Sequence, residues 1–257
     1  YSITAYLNWD EIKEMQDSGV IDIQSHTMTH TKYFTSAKIV SFHHPGSDSI
    51  YAITNRFPDT RQRYFSTENF EQLIPYGSPI FEQKSAVLTR IHQVSNDFEQ
   101  EIVAGLKRDS WSNDMDFEAH FEKIKRIYKD YLARKAIFSW IENDQDFNVR
   151  LRYEIADSKK VLEKMLGKPV EFLCWPHGEN DERAHSVALE SGYLATTSGK
   201  SGASGKRQDR FERFGVRMQK NKFISKLHWR YKLNSSVGLF PDYLLKKLYE
   251  GIRYGVW

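Results

Sequence analysis

The chain has 257 residues, of which 40% are apolar and 14% aromatic, so it can bury a full core and is neither a disordered nor a fibrous sequence. Its 37 basic and 34 acidic residues are well mixed and leave a net charge of +3, which argues against a nucleic-acid partner and leaves room for a small polar target. Cys174 is the only cysteine, so intramolecular disulfides are excluded, and no run has the length of a transmembrane helix or the pattern of a signal peptide.

The first element is a helix. Asn8-Trp9-Asp10-Glu11 reads as an N-cap with a capping-box Glu, Trp9, Ile12 and Met15 form one apolar stripe, and Ser18-Gly19 closes it. Residues 20–24 then alternate apolar and polar side chains, the period of a half-buried strand. Directly after it stands Ser25-His26-Thr27-Met28-Thr29-His30. With a helical turn beginning at His26, His30 falls on the same face, and two imidazoles at that spacing can share one divalent ion. The plainer reading is two histidines bonded to backbone, in a chain that has nine.

Residues 34–147 have their own character. Phe42-His43-His44-Pro45-Gly46, Asn55-Arg56-Phe57-Pro58-Asp59 and Ile74-Pro75-Tyr76-Gly77-Ser78-Pro79 predict ordered loops rich in aromatics. His43 and His44, being adjacent, point apart on an extended chain, so a turn before Pro45 is the reading for them. Helices are predicted over 85–93 and 97–107, and a longer one carries Phe117, Phe121, Ile124, Tyr128 and Tyr131 as a single stripe amid Lys123, Lys125, Arg126 and Lys129. A cap over the site or an oligomer contact are the two roles the sequence leaves open for this segment.

Past it, a helix over 153–166 ends at Gly167, with Pro169 beyond, and a strand over 170–175 leads into Pro176-His177-Gly178. Cys174 lies inside that strand and reads as a small buried hydrophobe. Asp181 caps a helix bearing Ala184, Val187 and Ala188, Gly192 closes it, and residues 193–197 form the next strand. Strand, helix and strand in succession imply a parallel sheet or barrel, whose chemistry collects at strand C-termini, where His26 and His177 both fall. The glycine-rich stretch 199–206 is a flexible basic loop rather than a phosphate loop, because Lys200 and Arg207 stand where that motif needs Gly and Ser or Thr. A strand over 214–218 and a helix over 240–249 with Tyr243, Leu244 and Leu248 inward complete the chain, and Leu227-His228-Trp229 lies between them.

Trp9 to Met15, Ser18-Gly19 and Ser25 to His30, followed much later by Gly167 to Gly178, Ala188, Gly192-Tyr193 and Thr196-Thr197, together resemble the polysaccharide deacetylase (NodB-homology) family. The resemblance implies an α/β fold, a distorted (β/α) barrel lacking its first strand or strands in this chain, built from residues 1–33 and 148–257 and interrupted by a mostly helical insertion at 34–147. It implies a divalent metal, usually zinc, on His26 and His30, and a substrate groove lined by Trp175, Pro176, His177 and Gly178. His177 stands where the family has Tyr or Phe, so its imidazole is a groove hydrogen-bonder or a spare acid, and a backbone N–H beside it is the oxyanion donor. His228, the one histidine in a Leu-x-His-like position, takes the role of general acid. The reaction so implied is metal-dependent removal of acetyl groups, N-acetyl ahead of O-acetyl, from a polysaccharide or oligosaccharide in a secreted or cell-surface bacterial context.

One departure weighs against activity. The family carries an Asp-Asp pair that supplies the general base and a third metal ligand, and no such pair occurs here. Asp22 is no substitute at ~13 Å along a strand from His26. The chain by itself is therefore expected to be catalytically incomplete, the rival readings being an inactive carbohydrate-binding or scaffolding relative and a metal hydrolase of another amide.

Overall fold

The computed structural model describes residues 7–47, 50–57, 73–107, 111–198 and 208–211, together with 230, 231, 234, 239 and 241. The chain divides into two units, Tyr1–Gly199 with Gly205–Phe211 and Lys200–Ser204 with Glu212–Trp257, and the named elements all belong to the first. The loop expected at 199–206, the strand at 214–218, His228 and the helix at 240–249 lie outside the described residues.

Helix α1 (Trp9–Asp17) forms as its capping box demands: the Asn8 side chain accepts from the N–H groups of Asp10 and Glu11, and the Glu11 carboxylate accepts from Asn8 N–H at 2.8 Å. Its stripe is only half covered, Ile12 and Met15 being partly buried and Trp9 37% exposed. Beyond Gly19 the expected strand at 20–24 does not form. Val20 is 86% exposed, so the alternation marks no buried face. Only Ser25 enters a ladder, as a parallel bridge to Leu173. One residue earlier the Gln24 side-chain carbonyl accepts from Glu171 N–H at 3.0 Å and Phe172 N–H at 2.9 Å, so a side chain takes those donors and shortens the strand pairing.

Residues 34–147 are built differently from expectation. The long strand β1 (Lys32–Phe42) pairs antiparallel with β2 (Pro79–Ser85) from Lys32 opposite Ser85 to Phe42 opposite Pro79. Eleven residues face seven, and the surplus is absorbed as irregularities between Phe34 and Ile39 and between Ile39 and Ser41. The segment expected as a helix at 85–93 is instead the end of β2, a turn, and the start of β3 (His92–Val94), which pairs antiparallel with β4 (Phe138–Ile141). Around these strands lie α2 (Ile50–Arg56), α3 (Asn96–Gly105) and α4 (Phe117–Ala133). Phe34, Phe42, Ile53, Phe81, Phe98 and Ile124 are the centre of their shared core, with Tyr131 completing the α4 stripe. Asn55, buried on α2, is the joint between helix and hairpin: it accepts from Phe34 N–H at 2.8 Å and donates to the Lys32 and Tyr51 carbonyls at 3.1 and 2.6 Å. His43 and His44 do form the expected turn, held by Ser47 Oγ, which donates to His44 O at 2.7 Å.

A second core gathers Phe147, Leu151, Ile155, Val170, Leu173, Trp175 and Ala188, and Val87 reaches into it from the segment between. Its helical wall runs without a break through α5 (Asp144–Arg152), a π-helical turn (Tyr153–Asp157) and α6 (Ser158–Leu166), and stops at Gly167, which adopts the left-handed φ of +67°. The strand expected at 170–175 is regular only as β5 (Phe172–Leu173). Helix α7 (Glu182–Glu190), capped by Asp181 as expected, leads to β6 (Ala195–Thr197). With β7 (Arg210–Phe211) these form a parallel sheet in the order β5-β6-β7, Ser25 adding its single bridge to β5. The fold is α/β with a β-α-β unit, and among the described residues the sheets are small.

Candidate functional site

The Ser25 bridge determines where His26 emerges. Ser25 N–H donates to Phe172 O at 3.2 Å and Cys174 N–H returns a bond to Ser25 O at 3.0 Å, so the next residue leaves the sheet beside Cys174. His26 Nδ1 then donates to the Cys174 carbonyl at 2.6 Å. A carbonyl only accepts, so Nδ1 carries a proton, and in the neutral ring the Nε2 lone pair of this exposed side chain is left for another partner.

The expected helical turn from His26 to His30 is absent. Thr27 and His30 have left-handed φ values of 68° and 53°, and the segment is a tight loop. The two rings nevertheless end 4.9 Å apart, because the loop folds back on itself where a helix would have stacked them. Glu154 in the π-helical turn holds that shape: its carbonyl accepts from Met28 N–H at 3.0 Å, and its carboxylate accepts from Thr29 N–H at 3.0 Å and Thr29 Oγ1 at 2.5 Å.

The second motif brings in His177, whose ring lies 4.6 Å from that of His30. It too is left-handed, with φ of 58°, inside the turn Pro176–Gly178. Its Nε2 shares a 3.1 Å hydrogen bond with the Tyr51 hydroxyl, delivered by α2. Lys32 sits 5.9 Å from the centre of the Tyr51 ring and pairs with Glu179 at 3.3 Å, while Glu179 also accepts from Ser85 N–H at 2.6 Å. The rim of the histidine cluster is thus drawn from both cores. Burial, then the neighbouring His26 charge, pushes the His30 imidazole below its ordinary value, and burial, Lys32 and His30 do the same to His177. Both rings therefore favour the neutral form that offers a lone pair.

The remaining expected residues are placed less openly. Trp175 is fully buried in the second core, so the groove-floor role expected for it is corrected: its ring packs inward, and its main-chain N–H donates to Thr197 Oγ1 at 3.1 Å. Pro176 is buried as well, and Cys174 is half-buried rather than fully so. Gly178 turns the chain at φ of 73° and donates its N–H to Trp175 O at 3.0 Å. Asp22 forms an ion pair with Lys168, which holds its carboxyl below the ordinary value. Among the described residues, no group of three or more His, Cys, Asp or Glu side chains is arranged to hold a metal ion. Sequence reasoning missed Tyr51, Lys32, Glu179 and Glu154; Glu179 alone carried a signal, standing two residues past His177 in the same motif.

A small parallel sheet with an imidazole cluster at its strand ends is the class of arrangement this chain presents. No family model matches the sequence, and no curated protein matches it. Among solved structures it is similar to a de-N-acetylase from Aggregatibacter actinomycetemcomitans, at 14% identity and a TM-score of 0.44, over 87% of this chain and 53% of that one. It is also similar to the deacetylase domain of BpsB from Bordetella bronchiseptica, at 13% identity and a TM-score of 0.41, over 81% of this chain and 48% of that one. The chain thus spans about half the length of these structures.

Proposed function

We propose that this chain belongs to a metal-dependent hydrolase that removes N-acetyl groups from a polysaccharide, with His26 and His30 holding the metal. The observation that carries the reading is the His26 ring: a metal-binding imidazole characteristically donates its second N–H to a carbonyl, and His26 does so to Cys174 while its ring centre lies 4.9 Å from that of His30. The donor set, two imidazoles of which one has its tautomer fixed, suits zinc. When bound, a divalent ion supplies Lewis acidity toward an acetyl carbonyl and a water of lowered pKa.

The chain's own residues do the rest. His177 and Tyr51 hold a proton between Nε2 and the phenol oxygen at the rim, a bond able to reorganise around a sugar hydroxyl or amide. Lys32 and Glu179 supply further polar contacts for a hydroxylated substrate. The N–H groups of Gly178 and Glu179 are bonded to the Trp175 and Pro176 carbonyls, whereas that of His177 has no partner among the described residues and is the main-chain donor suited to a developing oxyanion.

The test is metal stoichiometry followed by acetate release from chito-oligosaccharides and poly-N-acetylglucosamine. One zinc per chain is expected, lost in His26→Ala and in His30→Ala. Retention of zinc by the double variant refutes the metal assignment, and measurable acetate release that persists undiminished once the metal is removed refutes the mechanism.

A further inference from the structure

Glu154 is fully buried in a π-helical turn that interrupts an otherwise α-helical wall. Such turns shift the register of the side chains they contain and recur at functional sites. A buried carboxyl group is costly unless its oxygens are bonded and its charge is matched. Its oxygens are bonded, but to Thr29 alone, and among the described residues no Lys, Arg or His side chain pairs with it. Its main-chain carbonyl takes Met28 N–H. All three bonds thus go to Met28 and Thr29, the two residues just before His30, in a loop where Thr27 and His30 have left-handed φ values that only outside support maintains.

We propose that Glu154 is the positioning residue of the His26–His30 pair, its buried carboxylate fixing the Thr27–His30 loop through Thr29 and providing nearby negative charge that a cation on the two imidazoles would balance. The proposal rests on the reading of His26 and His30 as metal ligands. It explains why a carboxylate with no cationic side-chain partner is sealed behind this loop.

The experiment compares wild type, Glu154→Gln, Thr29→Val and the double variant in the full chain. Cobalt(II) binding is followed by its visible absorption, and the imidazole nitrogens of His26 and His30 by long-range ¹H–¹⁵N correlation without metal. Each single variant is expected to weaken cobalt binding by about 10–100-fold, with shifted His26 and His30 signals and the imidazoles outside the His26, His30 and His177 cluster unmoved. The double variant is expected to be no weaker than the poorer single one, because both changes cut the same link. Wild-type affinity together with unshifted imidazole signals in Glu154→Gln would overturn the proposal. If Glu154→Gln does not fold, Thr29→Val decides in the same way. If wild type itself binds no cobalt, the metal reading fails, and the metal-free imidazole signals still decide whether Glu154 positions the pair.

Discussion

Replacing Asn55 with Ala should destabilise the protein far more than its small polar side chain suggests. Asn55 is 1% exposed and makes three bonds, accepting from Phe34 N–H and donating to the carbonyls of Lys32 and Tyr51. Phe34 lies where the β1–β2 ladder becomes irregular, so its N–H uses the Asn55 side chain where the hairpin provides no regular partner. Without it, one buried donor goes unsatisfied at about 1–3 kcal/mol, and each carbonyl loses a bond whose net contribution is about 0.5–1.5 kcal/mol. The contributions overlap, and a central value of about 3 kcal/mol follows. For a chain of this size that corresponds to a fall in melting temperature of roughly 6–12 °C. Thermal unfolding followed by circular dichroism measures it, and amide exchange at Phe34 should accelerate in the variant. A melting temperature within about 2 °C of wild type would refute the assignment of Asn55 as the joint between α2 and the hairpin.

Arg150→Met should cost about 3–5 kcal/mol, because it leaves Glu142 buried without the guanidinium that contacts both its oxygens at 2.8 and 2.7 Å, and also frees the Ala86 and Thr89 carbonyls; chemical denaturation reads the loss, and a change below about 1 kcal/mol contradicts it. Glu163 is held below its ordinary value of 4.5 by Val170 N–H and then by Lys159. In the unfolded chain it takes up its proton first, so its contribution is fully present above about pH 4.5 and is lost as pH falls through the lower folded value. Glu163→Gln should accordingly flatten the fall in melting temperature on acidification below that pH, and an unchanged slope would count against it. His26→Ala and His30→Ala should each remove bound zinc while leaving the melting temperature of the metal-free chain nearly unchanged, since neither side chain belongs to an apolar core; differential scanning fluorimetry with and without a chelator separates the two effects.

The parts of the fold readable in the sequence are those whose physics is local. The Asn8 and Glu11 capping box, the Asp181 cap, the left-handed Gly167 and the α4 stripe each depend on residues within a few positions of one another. The β1–β2 hairpin was not readable, because Tyr33 and Phe34 are buried side by side and the strand shows no alternation, while Pro75 and Gly77 before β2 and Pro79 at its start resemble loop punctuation. At 20–24 the error ran the other way: clean alternation with Val20 and Ile21 exposed, and a Gln24 side chain occupying the neighbouring donors. The site divides along the same line. His26, His30 and His177 were visible as motif residues, but Tyr51 reaches the cluster across 126 positions of sequence and Glu154 acts across 125, with no local pattern to announce either.

The anchor of His26 has an evolutionary side. What grips the imidazole is the peptide carbonyl of residue 174, not the thiol, and every amino acid carries that carbonyl. The position is therefore free to drift among side chains that fit the half-buried strand end without loosening the ring. Alkylating or oxidising the sulfur leaves the acceptor chemically intact. The anchor needs strand geometry at position 174 rather than cysteine chemistry, and a serine or valine there should orient the histidine as well.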